Sequence, residues 1–154
     1  MAGRIEARLA ELGIELPDAP VPKANYTPYV VTGNLAFMSG QVTIWNGEMK
    51  YIGKVGADLS IEQGYEAARM VAINLIAQAK NACGGDLDRI KQVVRLCAVV
   101  NAVEDFQDHS KVVNGASDLM AEVFGDAGRC VRINSGGTIP FGFAVEIDAI
   151  FEIE

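Results

Sequence analysis

The sequence predicts an α+β fold in which two helices pack on one face of a mixed β-sheet. Strand and helix patterns follow one another in the order ββ(β)–α–β–α–β–β, which is an α+β layout. Half of the 154 residues are hydrophobic, which is sufficient for one domain with a substantial core. No stretch reaches the roughly 18 apolar residues that a membrane-spanning helix needs. We therefore expect one domain that does not interact with a membrane.

The first element is a short amphipathic helix, since Ile5, Leu9 and Leu12 recur at helical spacing. The stretch that follows holds four of the five prolines and is typical of an extended connector. The beginning of the chain carries charges and no apolar run, which argues against a secretory signal. We assign residues 1–23 to this helix and connector, and residues 24–154 to a single domain.

Strands come next. The segment "YVVTGNLAFMSGQV" (29–42) has two apolar runs around Gly33-Asn34, a pattern that predicts a β-hairpin with a two-residue turn. Asn46-Gly47 indicates a second turn with a short strand on each side.

Two helices follow these strands. Ser60 and Gln63 match a capping box, in which each side chain satisfies a backbone N–H of the other residue. The glycine pair at 84–85 ends this first helix. A second apolar pattern predicts a helix from about Asp105 to Phe124.

The strand between the two helices is apolar on both sides. One face is predicted to carry Val94, Leu96, Ala98 and Val100, and the other Val93, Cys97 and Val99. Helices on one side of the sheet would leave the second face exposed to water. We therefore expect a partner subunit to cover that face, and predict a homo-oligomer.

The last segment (128–154) is predicted to be a closing hairpin whose second strand alternates strictly. Apolar residues point to one side, whereas Glu146, Asp148 and Glu152 point to the other. A solvated strand face explains Asp148 and Glu152. Glu146 is a catalytic candidate, because a covered carboxylate has a raised pKa or a partner, and either state suits acid–base work on a water molecule.

Arg129 and Arg132 precede this strand. The planar guanidinium of arginine binds a carboxylate through two parallel hydrogen bonds, so both are candidates for holding an anion, although they could also simply offset an acidic surface. Cys130 adjoins them, where a thiolate would be favoured, and a buried inert thiol is the alternative.

Three further residues are candidates for lining a pocket. Tyr29 begins the first strand, and Ser39-Gly40 ends the second, so a phenol and a small hydroxyl group meet there. Roles in the core and in a turn are the alternatives for these residues.

Charge and composition exclude several classes of protein. The net charge is −7 and no basic window exists, which argues against nucleic acid as the partner. The single histidine, His109, leaves no residue for a Ser-His-Asp triad, and we interpret it as a solvated helix-start residue. Three scattered cysteines predict neither a zinc site nor a disulfide framework, and a reducing cytoplasm is the expected location.

Three stretches together resemble the YjgF family, also called the RidA or endoribonuclease L-PSP family. They are "YTPYVVTGNLAFMSGQV" (26–42), "VVRLCAVVNAVEDFQDHSKVVN" (93–114) and "IPFGFAVEIDAIFEI" (139–153). The likeness extends from about residue 24 to the end, and the N-terminal helix is similar to that of a longer branch of the family.

The resemblance implies a chorismate-mutase-like subunit that assembles into a homotrimer. It also implies pockets between subunits that hydrolyse reactive enamines and imines to 2-keto acids and ammonia, without metal or cofactor. In this family an arginine holds the substrate carboxylate, a glutamate on the last strand assists the water, and a tyrosine lines the pocket.

These roles are carried over residue by residue. The glutamate falls on Glu146 and the tyrosine on Tyr29, while Asn114 falls on a position that is often polar. Counting back from Pro140, the arginine position falls on Val131. Arg129 fits only if the "SGGTIP" loop (135–140) holds two extra residues, and Arg132 would face the opposite side of the strand.

We therefore expect Glu146 and Arg129 to be catalytic. The expected binding residues for a small carboxylate or imine metabolite are Tyr29, Arg132, Cys130, Asn114, Ser39 and Gly40. A trimer that binds a keto acid or another carboxylate without catalysis is the alternative function. An endoribonuclease is a third possibility, and the negative charge and lone histidine count against it.

Overall fold

The computed structural model describes residues 2–154, which form one mixed five-stranded sheet with helices on one face. The helices are α1 (Arg4–Glu11), α2 (Ile61–Ala82) and α3 (His109–Phe124). The strands are β1 (Tyr29–Thr32), β2 (Leu35–Gln41), β3 (Ile44–Trp45), β4 (Glu48–Met49), β5 (Ile90–Val100), β6 (Val131–Gly136) and β7 (Val145–Ile153). The order in the main sheet is β1-β2-β7-β5-β6, and β3 pairs with β4 in a separate ribbon. Within residues 2–154, no helix is both long enough and apolar enough to span a membrane.

Helix α1 is attached to the rest of the chain through its first turn. The backbone N–H groups of Arg4 and Ile5 both donate to the carboxylate of Asp88, at 2.9 Å each. The first N–H groups of a helix have no partner inside the helix, so this carboxylate supplies the missing acceptors. Ile5 and Leu9 are buried, which confirms the predicted amphipathic pattern.

Helix α2 begins and ends where the sequence predicts. The N–H of Gln63 donates to Ser60 Oγ (3.1 Å), and the N–H of Ser60 donates to Gln63 Oε1 (2.9 Å), which completes the capping box. The two glycines that follow the helix, at positions 84 and 85, have φ angles of +65° and +96°, in the left-handed region that favours glycine.

Helix α3 begins at His109, four residues later than the predicted Asp105. The N–H of Phe106 donates to the carbonyl of Val103 (3.0 Å), which closes a turn before the helix. The first helical hydrogen bonds run instead from Lys111 and Val112 to the carbonyl of Asp108. The local turn thus replaces the first predicted turn of the helix.

The face of the sheet that α2 and α3 cover is the core, and we call it the inner face. It includes Leu96 of β5 together with Ile147 and Phe151 of β7, all fully buried. Strand β7 lies between β2 and β5, antiparallel to both, so it is the central strand of the sheet. Its strict alternation places every second side chain in this core.

The predicted facing of β5 is wrong at its beginning. Val93 pairs with Phe151 and is fully buried, whereas Arg95 pairs with the half-buried Ile150 on the other face. The register shifts between them, so Val94 is an extra residue in a β-bulge. Val93, and not Val94, therefore shares the inner face with Leu96.

The predicted closing hairpin is also wrong. Strand β6 pairs in parallel with β5, from Arg95↔Val131 to Val100↔Gly136, and is an edge strand of the sheet. Parallel neighbours need a long crossover, and α3 provides it between β5 and β6. The chain then crosses to the centre of the sheet before β7 begins.

Candidate functional site on the outer face of the sheet

The face opposite the helices, here called the outer face, carries exposed apolar side chains. Val131 and Ile133 of β6 are 67% and 55% exposed, and Val30 and Phe37 near the opposite edge are 56% and 40% exposed. A folded monomer rarely leaves so many large apolar groups on one surface. This is the face that the sequence predicts to be covered by a partner subunit.

Carboxylates lie along the middle of this face. Glu146 pairs with Val99, and Asp148 pairs with Cys97 on the neighbouring strand. Burial raises the pKa of Glu146 above its usual range, and the nearby charge of Asp148 raises it further. Burial also raises the pKa of Asp148, although the positive charge of Arg95 partly opposes this. Both groups therefore take up a proton more readily than ordinary carboxylates.

Gly40 lies directly against Glu146. A Cβ atom at position 40 would be 2.8 Å from Glu146 Oε1, which is closer than real side chains approach one another. The glycine thus leaves the space that the carboxylate occupies. The structure brings these two sequence-predicted residues together.

Ser39 and Tyr29 have other surroundings within the chain. Ser39 Oγ donates to the carbonyl of Thr27 (2.6 Å), so its proton is already used inside the chain. Tyr29 pairs with Met38, a buried core residue, and therefore lies on the inner side of the sheet edge. Tyr29 is therefore on the opposite face of the sheet from Glu146.

Arg132 and Asn114 meet on the inner side instead. Arg132 Nη1 donates to Asn114 Oδ1 (2.8 Å) and to Ser117 Oγ (2.9 Å), and Nη2 donates to the carbonyl of Ser110 (3.4 Å). The guanidinium thereby attaches β6 to α3. It faces away from Glu146, as its position in the strand predicts.

Arg129 lies before β6 begins and is exposed. Its carbonyl accepts a hydrogen bond from Gln92 Nε2 (2.8 Å). Glu146 is level with Val99 and Ser135, so Arg129 is six residues away along the strand direction, or about 20 Å at 3.3 Å per residue. That separation is longer than an arginine side chain, so the fold of the chain does not bring the two predicted catalytic residues together.

Cys130 is half-buried, and its environment disfavours a thiolate. Burial raises the pKa of this thiol, and the positive charge of Arg132 only partly counteracts that effect. The inert thiol, one of the two alternatives given by the sequence, fits these surroundings.

Sequence reasoning missed Arg95, which lies on the outer face. It pairs with Ile150 on one side and with Val131 on the other, and among residues 2–154 its guanidinium makes no hydrogen bond or ion pair. Alternation from Val99 and Cys97 places position 95 on this face, so the sequence pattern itself contained the signal.

Two cavities lie elsewhere and hold none of the predicted catalytic groups. One, of about 980 Å³, is lined by α1, the connector, Trp45 and Ile73. The other, of about 670 Å³, lies at the end of β5 and is lined by Lys54, His109 and Thr138, among others. Lys54 Nζ donates there to Asn101 Oδ1 (3.0 Å). Glu146 lines neither cavity.

Comparison with known proteins identifies the family. A family model described as "YjgF/chorismate_mutase-like, putative endoribonuclease" matches residues 6–142. The chain is 43% identical to "Protein TCP17" of Trypanosoma cruzi over 154 residues, which cover 99% of this chain and 96% of that protein.

Two solved structures share both the sequence and the fold. The protein Atu1372 from Agrobacterium tumefaciens, described as having unknown function, is 43% identical with a TM-score of 0.91, over 97% of this chain and 92% of that one. A "putative endoribonuclease" from Shewanella oneidensis is 38% identical with a TM-score of 0.94, over 98% of this chain and all of that one. The chain therefore belongs to the YjgF/chorismate-mutase-like family and has its α+β fold, as the resemblance in sequence implied.

Proposed function

We propose that this protein hydrolyses reactive enamines and imines to 2-keto acids and ammonia, in pockets between the subunits of a homotrimer. One observation carries the proposal: Glu146 is half-buried on the outer face, has a raised pKa, and lies against Gly40. A carboxyl group with a pKa nearer neutrality can both accept and donate a proton during one reaction.

The exposed apolar residues support assembly. Val131 and Ile133 on one edge of the outer face, and Val30 and Phe37 near the other, would leave water if copies of this chain packed against each other. Residues from two subunits would then surround Glu146 and exclude bulk water from it. We also propose a cytoplasmic location, which the three free cysteines favour.

Hydrolysis needs one carboxyl group that changes its protonation state twice. The Glu146 carboxylate accepts a proton as a water molecule attacks the carbon of the protonated C=N bond, and a tetrahedral carbinolamine forms. The resulting carboxylic acid then returns that proton to nitrogen. The C–N bond breaks with its electron pair going to nitrogen, the carbonyl group forms, and the hydroxyl proton passes to the departing ammonia, which leaves as ammonium. An enamine first gains a proton from solvent on its β-carbon, which converts it to the protonated imine.

The experiment generates 2-iminobutyrate in situ and follows the imine that semicarbazide can trap. We expect the protein to accelerate imine loss, and Glu146→Gln to lower kcat by about 100-fold or more, the usual contribution of a general acid–base group. Glu152→Gln is the matched control, because Glu152 is on the same strand and face but pairs with Leu35. Imine loss no faster than in buffer would reject the proposal.

A non-catalytic carboxylate-binding trimer is the second candidate. It is favoured by one observation: neither Arg129 nor Arg132 is near Glu146 within a subunit. Thermal stabilisation by 2-ketobutyrate, with no turnover of the imine, would support this candidate against the first.

An endoribonuclease activity, which the family description names, is disfavoured by the charge of the protein. Glu146 and Asp148 on the outer face would repel phosphate groups, and the net charge is −7. RNA left intact by nuclease-free protein is the expected result.

A further inference from the structure

The cavity beside α1 has the size and the lining of a small-molecule site. Its volume is about 980 Å³, comparable with that of ligand pockets. Five of the side chains that line it are large and apolar: Leu9, Ile14, Leu16, Trp45 and Ile73. Leu9 and Ile73 are only 4% and 9% exposed, so the cavity reaches the edge of the core. Its lining can therefore remove the apolar part of a ligand from water.

The two sides of this cavity are held in place by contacts within the chain. On one side, the ion pair between Glu6 Oε1 and Lys80 Nζ (2.9 Å) joins α1 to α2, in addition to the contacts that fix the first turn of α1. On the other side, Gln78 Nε2 donates to the carbonyl of Pro20 (2.6 Å) and joins the connector to α2. A site that is already formed loses little conformational freedom when a ligand binds.

The charges that line the cavity favour a cation. Glu6 and Lys80 neutralise each other through their ion pair. Glu15 also lines the cavity, is exposed and, among the residues from 2 to 154, has no ion-pair partner. The lining therefore carries one net negative charge. The indole ring of Trp45 adds an aromatic surface, which also attracts cations.

We propose that this cavity binds a primary ammonium ion that carries an apolar chain, with the chain against Trp45 and Ile73 and the ammonium group near Glu15. The inference goes beyond the proposed function, since it concerns a second site with a ligand class of its own. The apolar contacts supply most of the affinity, because an exposed ion pair contributes little. Glu15 supplies the selectivity, since it attracts an ammonium group and repels a carboxylate.

The experiment compares octylammonium, octanol and octanoate, which share an apolar chain and differ in charge. Trp45 is the only tryptophan of the chain, so a change in its fluorescence reports binding at this cavity. We expect octylammonium to bind about threefold more tightly than octanol, and about tenfold more tightly than octanoate. Ethylammonium has the charge without the long chain and should leave the fluorescence unchanged.

A charge reversal at the rim tests the role of Glu15. Glu15→Lys should reverse the order, so that octanoate binds more tightly than octylammonium. Glu11→Lys is the matched control, because Glu11 is also exposed and close in sequence but does not line the cavity. This variant changes the net charge of the protein equally and should keep the original order. Circular dichroism verifies that both variants are folded.

Several results would overturn the inference. They are an unchanged Trp45 fluorescence with octylammonium, equal affinities for octylammonium and octanoate, an unchanged order in folded Glu15→Lys, and a reversed order in Glu11→Lys. The proposed function is tested separately by imine loss. A protein that hydrolyses the imine but does not bind octylammonium lacks only this second site, and one that binds octylammonium without hydrolysing the imine retains it.

Discussion

The two faces of one sheet have opposite characters, although the same strands build both. On the inner face, Leu96, Ile147 and Phe151 are completely buried beneath α2 and α3. On the outer face, Val131 and Ile133 are more than half exposed and carboxylates stand among them. The difference indicates two tasks: the inner face stabilises the fold, and the outer face is where we propose assembly and binding.

The largest effect should follow from a cavity in the inner face. Phe151→Ala removes a fully buried ring from the central strand and should lower the free energy of unfolding by about 3–5 kcal/mol. Urea denaturation followed by circular dichroism measures this. Phe37→Ala is the matched outer-face control and should cost far less in a subunit kept monomeric by dilution. Equal losses would contradict the division of tasks.

The second effect tests what covers the outer face. Ile133→Asp places a charge on the edge strand β6, in an exposed apolar surface. We propose that this surface is buried between copies of the chain, where an unpaired charge is destabilising. We expect the association constant of the subunits to fall at least tenfold, while the far-ultraviolet circular dichroism is unchanged. Analytical ultracentrifugation measures the assembly. An unchanged sedimentation coefficient would remove β6 from the interface.

Some of this architecture could be read from the sequence because its signals are local. The capping box of Ser60 and Gln63 and the glycines after α2 act within a few residues, and both were predicted correctly. The alternation of β7 likewise identifies which side chains enter the core. Family membership follows from separated motifs that occur in a fixed order.

The errors concern pairings between distant segments. Nothing in the composition of residues 131–136 distinguishes a parallel edge strand from one arm of a hairpin, since the partner is decided by the crossover through α3. The bulge at Val94 reverses the facing of the strand before it, and a one-residue shift is not visible in a run of apolar residues.

The third effect is a difference in stability between variants of the two arginines in and before β6. Arg132→Ala removes the hydrogen bonds to Asn114 and Ser117 that join β6 to α3, and should cost about 1–2 kcal/mol of stability. Arg129→Ala removes an exposed side chain and should change stability by less than about 0.5 kcal/mol. Thermal unfolding of the two variants makes the comparison. A larger loss for Arg129→Ala would mean that its side chain has a structural role.

The smallest effect is a dependence of stability on pH, and its sign differs between two glutamates. Burial raises the pKa of Glu146 above its ordinary value of 4.5, so the folded state holds this proton more tightly than the unfolded state. The stability from this group is present below pH 4.5 and is lost as the pH rises through the raised pKa. Glu146→Gln should therefore be more stable than the unmodified protein at pH 7, and the difference should shrink in acid.

Glu6 provides the opposite sign in the same molecule. A hydrogen bond from Lys80 lowers its pKa, with a further contribution from the backbone N–H of Gly3, so its stabilising effect exists above pH 4.5 and is lost as the pH falls. Glu6→Gln should lower the melting temperature at pH 7 and have little effect in acid. Melting curves of both variants between pH 3 and pH 8 test the pair. If Glu146→Gln is instead destabilising at neutral pH, the carboxylate has a stabilising partner, and the outer face is not the desolvated acid–base site on which the proposed hydrolysis depends.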